Sequence, residues 1–310
     1  MAKKKKNEIW RPQYPFRSNF HNINGLRMHY LDEGKGTPIL FVHGNPTWSF
    51  YWRNLILPLR KTYRCVAVDH VGCGLSDKPS EKAYPFTLER RIDDLCQMIE
   101  RLNLKKITLI AHDWGGAIGM GAAERLPERF EKFVLMNTAA FISSRCPFRI
   151  RVCRMPFLGR WAVQGWNAFA VAATRMAMNN RKKMTREIRA GLLSPYNSWA
   201  NRLAVYRFVK DIPLSPKHPS YSTLLDIEKN LPMFREKPLL LIWGMHDWCF
   251  SPEFLKRFLQ IFPDAETHRF DDAGHYVVED ASERMTPIIE MFLSSKKREL
   301  GDCYAAFDLQ

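Results

Sequence analysis

Short apolar runs alternate with amphipathic stretches through the first 140 residues, and the alternation resumes near residue 232. Gly25–Leu31, Pro38–Val42, Tyr63–Val68, Lys106–Ala111 and Phe133–Met136 read as strands, with Leu239–Trp243 and Glu266–Phe270 following later. Between them, Thr87–Leu102 places Leu88, Ile92, Leu95, Ile99 and Leu102 at helical spacing. Gly115–Leu126 reads as a small-residue helix stopped by Pro127, and Pro252–Ile261 and Glu283–Phe292 complete the helices. Near-continuous apolar strands separated by helices predict a mostly parallel sheet covered on both faces, an α/β fold.

The pattern lapses between 141 and 231, where Arg, Trp, Met and Phe are frequent and the reading is mostly helical. An insertion between two core strands accounts for this better than a separate domain. It would sit over the strand ends, where open α/β sheets bind ligands. The expected division is a core of residues 1–140 and 232–296, a helical lid of residues 141–231 and a tail from 297 to 310.

A hydrophobic share of 46% in 310 residues supports a sizeable core. The net charge of +15 is carried partly by Lys3–Lys6, Arg149-Ile150-Arg151, Arg181-Lys182-Lys183 and Lys296-Lys297-Arg298. Such runs are solvated surface, or they attract anionic lipid or an acidic partner such as an enzyme complex. No nucleic-acid reader motif accompanies them. Seven cysteines without a CxxC spacing argue against a disulfide framework or zinc site and for a reducing compartment. The basic start runs into Asn7-Glu8-Ile9-Trp10 and not into an apolar segment, so no signal peptide is expected. Gln164, Asn167 and Arg175 interrupt the longest apolar stretch, which makes a bilayer span unexpected. The cytoplasm is the expected location. The composition says nothing of oligomeric state.

The chemistry concentrates at three strand ends. Ala111-His112-Asp113-Trp114-Gly115 joins a buried strand to a Gly/Ala-rich helix. This is the small-x-nucleophile-x-small pattern of a sharp turn that lifts its central side chain above the sheet, at the positive end of a helix. The central residue here is Asp113; a plain helix cap is the alternative for an Asp at that position. Asp247 follows the strand Leu239–Trp243, and His275 follows Glu266–Phe270. The order nucleophile, acid, histidine at three strand ends suits a triad in which Asp247 orients His275. After Pro38–Val42 comes His43-Gly44-Asn45-Pro46-Thr47-Trp48, the loop that would supply half an oxyanion hole through a backbone N–H. Trp114 would supply the other half. Asn45 Nδ2 and Trp114 Nε1 add side-chain donors for a leaving anion. The other eight histidines read as structural.

A carboxylate nucleophile is poorly matched to acyl transfer, because it would form a labile anhydride. It suits displacement at a saturated carbon, giving an alkyl ester that His275-activated water could hydrolyse. Cleavage of a carbon–halogen or carbon–oxygen single bond follows, with no metal or organic cofactor required.

The motifs HGNPTWSFYWRN (43–54), DHVGCGLSDKP (69–79) and AHDWGG (111–116) resemble the haloalkane dehalogenases, α/β-hydrolases with an inserted helical lid. The resemblance runs from about Tyr14 to Phe292. It implies Asp113, Asp247 and His275 as the catalytic triad and Asn45 and Trp114 as halide-binding residues. One branch of that family places its acid after the preceding strand; Asn137 stands there in this chain, which leaves the role to Asp247. Some members add a lid tryptophan, for which Trp161, Trp166 and Trp199 are candidates. Around Asp69-His70-Val71-Gly72-Cys73-Gly74, and at MNTAAF (136–141), the chain is more similar to the β-lactone decarboxylases of olefin biosynthesis, which convert a cis-β-lactone to an alkene and CO2. The expectation is therefore a dehalogenase acting on a small apolar haloalkane, with β-lactone decarboxylation nearly level. An epoxide hydrolase would need paired lid tyrosines, for which Tyr196, Tyr206 and Tyr221 are the candidates. A ligand receptor on the same scaffold is the non-catalytic alternative.

Overall fold

A computed structural model describes residues 8–295. Its centre is an eight-stranded sheet in the order β1-β2-β4-β3-β5-β6-β7-β8. The strands are β1 (Asn19–Ile23), β2 (Leu26–Glu33), β3 (Pro38–Val42), β4 (Arg64–Val68), β5 (Ile107–Asp113), β6 (Phe130–Thr138), β7 (Leu239–Gly244) and β8 (Glu266–Phe270). From β4 to β8 every pair is parallel, while β1 and β2 pair antiparallel at one edge. β1 was not anticipated. Its sequence, Asn-Phe-His-Asn-Ile, buries only Ile23, as befits an edge strand with little apolar signal.

The two faces of the sheet bury alternate residues of the same strands, as the period of two requires. Leu40, Val42, Leu109 and Leu135 face α2 (Leu88–Arg101) and α3 (Trp114–Arg125). Ile39, Phe41, Ile110 and Val134 face α1 (Arg53–Leu59) and α11 (Val277–Ser294). α2 begins where Thr87 caps it by accepting from the Arg90 N–H, and its Leu88, Ile92, Leu95 and Ile99 stripe is buried. α11 starts six residues before the expected Glu283. Its first turn holds Glu279 and Asp280, which are buried and satisfied, so that acidic residues stand where apolar ones were sought.

Glu279 receives both arms of the Arg53 guanidinium at 2.6 and 2.8 Å, and this buried pair fastens α1 to α11. Glu279→Ala leaves a buried guanidinium without its counter-ion. We expect a loss of about 3–5 kcal/mol of stability, read as a lower midpoint in urea unfolding.

Between β6 and β7 lie α4 (Phe148–Arg154), α5 (Leu158–Arg160) running into a π-helical turn (Trp161–Gly165), α6 (Ala168–Met176), α7 (Arg186–Leu193), α8 (Leu203–Lys210) and α9 (Tyr221–Asn230). α9 packs against α2 and α3, whereas residues from α4, the turn and α6 form walls of a cavity over the strand ends. α10 (Pro252–Ile261) follows β7. No described helix is long and apolar enough to cross a membrane. Cys303 and the lysine run Lys3–Lys6 lie outside the described residues, as does the expected tail from 297 to 310.

Candidate active site

Asp113 sits at the end of β5 with φ 54° and ψ −129°, a backbone region that costs a non-glycine residue on the order of 1–3 kcal/mol. The turn survives because its surroundings hold it. Thr138 Oγ1 donates to the Asp113 carbonyl. A Cβ on Gly115 would collide with the Val42 carbonyl, and one on Gly44 would collide with the Asp113 carboxylate itself. The carboxylate thus lies against the loop after β3, where the Asn45 backbone N–H donates to its Oδ1 at 2.6 Å. Oδ2 is left facing His275, whose Nε2 is 3.8 Å away.

His275 Nδ1 donates to Asp247 Oδ2 at 2.8 Å. Asp247 is itself fixed: Oδ1 accepts from the Cys249 N–H at 2.6 Å, and Oδ2 accepts from Asn137 Nδ2 at 3.0 Å. Asn137 also pairs with both the carbonyl and the N–H of Gly244. Asn137, near the end of β6, is therefore a clamp on the acid after β7. The backbone of His275 is held from below, where His112 Nε2 donates to its carbonyl at 2.8 Å. Asp280 accepts from the N–H groups of Gly274, Asn179 and Asn180, tying the histidine loop to the end of α6. His43 and His70, both fully buried, bond each other's backbone and brace the loop that carries Asn45.

Charge balance follows from this geometry. Burial pushes the Asp113 carboxyl above its ordinary range, against the pull of His275 and of the Trp114 and Asn45 N–H groups. Burial also opposes charging of His275, but Asp247 and Asp113 on its two sides outweigh it and raise the imidazole above its usual range. The arrangement stabilises an imidazolium between two carboxylates.

Asp113, Trp114, Asn45 and His275 all line one cavity of about 380 Å³. The rest of its wall is mostly apolar, with Phe141, Ile150, Phe169, Met176, Val209 and Leu224 among its members. Asn45 lines the cavity, and one N–H of its Nδ2 donates to the Val205 carbonyl of α8 at 3.2 Å, while the amide carries a second N–H. Two expectations change here. Trp161, Trp166 and Trp199 point away from the cavity and are exposed; Trp248, which follows Asp247, lines it instead. Tyr196, Tyr206 and Tyr221 do not line it either, and Tyr196 is bonded to the Thr47 carbonyl. An epoxide hydrolase reading loses its acid pair with them.

Residues 37–282 match the alpha/beta hydrolase fold family. The chain is an α/β-hydrolase. Among its relatives, a cis-3-alkyl-4-alkyloxetan-2-one decarboxylase of Shewanella oneidensis is 45% identical, covering 90% of this chain and 89% of that protein. Haloalkane dehalogenase 2 of Mycobacterium bovis is 32% identical over 90% of this chain and 96% of its own. A variant of the haloalkane dehalogenase DatA from Agrobacterium tumefaciens superposes with a TM-score of 0.81 at 25% identity, covering 90% and 97% of the two chains. An enzyme of this α/β-hydrolase superfamily thus carries an aspartate where the serine of an esterase would stand.

Proposed function

We propose that the chain decarboxylates cis-β-lactones (3,4-dialkyl-oxetan-2-ones) to alkene and CO2, with Asp113, Asp247 and His275 as its catalytic residues. This reverses the order of the sequence reading, which put the dehalogenase first. The observation that carries it is the 45% identity across nine-tenths of the chain to a protein so named, against 32% to a dehalogenase. The cavity supports it, being large and apolar enough for alkyl chains.

The geometry suggests a two-step route. Oδ1 of Asp113 is held by the Asn45 N–H, so Oδ2 is the attacking atom. It displaces the ring oxygen from C4 of the lactone with inversion. The C4–O bond breaks, and its electron pair leaves on a free carboxylate that remains attached to C3. The Trp114 indole N–H and the His275 imidazolium are donors for that anion. The new ester oxygen and the carboxylate are then antiperiplanar without any bond rotation. Cleavage of the bond between C3 and the carboxylate carbon releases CO2. Its electrons form C3=C4, and Asp113 departs with the C4–O pair. Both alkyl groups keep their side throughout, so a cis lactone gives a cis alkene. No water is consumed, and the apolar wall protects the ester from hydrolysis. Residues 141–231 are the proposed lid, with the core on either side. The cytoplasm remains the proposed location.

The test is to incubate the enzyme separately with a cis-β-lactone and a bromoalkane. Cis alkene and CO2 from the first, with little bromide from the second, is the expected result; bromide without alkene would return the dehalogenase reading.

The pH profile separates the two chemistries again. Decarboxylation needs Asp113 ionised and gains from a charged His275. Its rate should rise on the acid side as Asp113 ionises, then fall as pH passes the raised His275 value. Hydrolysis of an alkyl ester needs neutral imidazole as base, so its rate would rise through that same value. Alkene formation measured from about pH 5 to 10 distinguishes a falling from a rising alkaline limb.

A further inference from the structure

The outer surface of α4, α5 and the π-helical turn carries large apolar side chains in water: Phe148 is 79% exposed, Phe157 82%, Leu158 51%, Trp161 58% and Trp166 73%. Those segments pack side by side, so the exposed rings are neighbours in space as well as in sequence. Soluble proteins rarely display such a group without a use for it. Arginines stand among the rings. Arg151 and Arg160 are exposed in the same segments, and Arg145 and Arg149, also exposed, stand where that surface meets the cavity, which they help to line. From residue 143 to 186 the chain has ten Arg or Lys and no Asp or Glu.

Charged residues are depleted at the centre of protein–protein interfaces, and here a guanidinium accompanies nearly every ring. Aromatic tips interleaved with cations suit a different surface. The rings and Leu158 enter the boundary between headgroups and acyl chains, while arginines meet lipid phosphates. The inner side of the same segments, through Ile150, Val152 and Ala162, lines the active-site cavity. Only one layer of short helices separates that cavity from the surface in question.

We propose that this outer face, residues 145–166, seats peripherally on an anionic phospholipid bilayer and brings the cavity to the source of its apolar substrate. The seating goes beyond the reaction assigned above and is independent of which bond Asp113 cleaves. The full-length protein is floated with phosphatidylcholine vesicles, with and without phosphatidylglycerol. It should float with the anionic vesicles, weakly with the neutral ones, and be released by high salt. Phe157→Ser/Trp166→Ser should lower the partition coefficient at least about tenfold with an unchanged thermal midpoint, since both side chains are exposed and neither lines the cavity. Arg151→Glu should reduce the preference for phosphatidylglycerol with the apolar tips intact. Absence of flotation, equal binding to both vesicle types, or unaltered binding by the double variant would overturn the proposal. So would a dimer of this chain in sedimentation that the double variant dissolves, because the face would then be covered by a second copy.

Discussion

Asp113→Asn should lower conversion of a cis-β-lactone by at least about 10⁴-fold, with the folded state intact. The carboxamide is nearly isosteric and can keep an oxygen toward the Asn45 N–H, so the bend at the end of β5 has no new steric conflict. What is lost is the anion at Oδ2. An amide oxygen is a far weaker nucleophile at saturated carbon, and the cavity walls hold no second carboxylate to open the ring in its place. The size of the effect tests the covalent route against a simpler one, in which the site merely binds the lactone and lets it fragment by itself. In that case the variant would retain a rate within about tenfold of the wild type, because the oxyanion-hole N–H groups and the apolar wall survive. Alkene release measured by gas chromatography separates these outcomes. Intact mass before and after the assay excludes reversion to Asp by deamidation.

Much of this arrangement was legible because its physical causes act locally. Parallel strands covered on both faces must be apolar along their length, so Pro38–Val42, Lys106–Ala111 and Leu239–Trp243 were found close to their true bounds. The turn at Asp113 leaves room only for small neighbours, and Ala111, Gly115 and Gly116 mark it. Chain order then led to Asp247 and His275, which the fold brings within hydrogen-bonding reach. The failures share another cause: they depend on what a residue meets far away in sequence. Asn137 looked like the absence of an acid and is a clamp on Asp247. The lid tryptophans were sought inside the cavity, yet three-residue and π-helical turns have no regular period from which an inward face can be read. α1 carries Pro58 inside a seven-residue helix, too short and too interrupted for its pattern to register.

His275→Gln should divide the two chemistries more sharply than any other substitution. Glutamine removes the cation that balances Asp113 and Asp247 and the base that would activate water, while keeping a side chain of similar reach. A bromoalkane that reacts at all would be captured as an ester on Asp113 and stay there. Intact mass would then show one alkyl group per chain, because hydrolysis has lost its base. A β-lactone behaves differently if the second step is fragmentation. Ring opening slows without the imidazolium to receive the carboxylate, and turnover should fall about 10²–10³-fold. Any ester that forms nevertheless carries its own means of release: CO2 departs, the double bond closes and Asp113 is freed without water. The lactone-treated variant should therefore show alkene at the reduced rate and no adduct of substrate mass. Accumulation of an Asp113 ester retaining the carboxylate, with no alkene, would mean that His275 takes part in the bond-breaking of the second step. That result would remove the unassisted fragmentation of the ester from consideration.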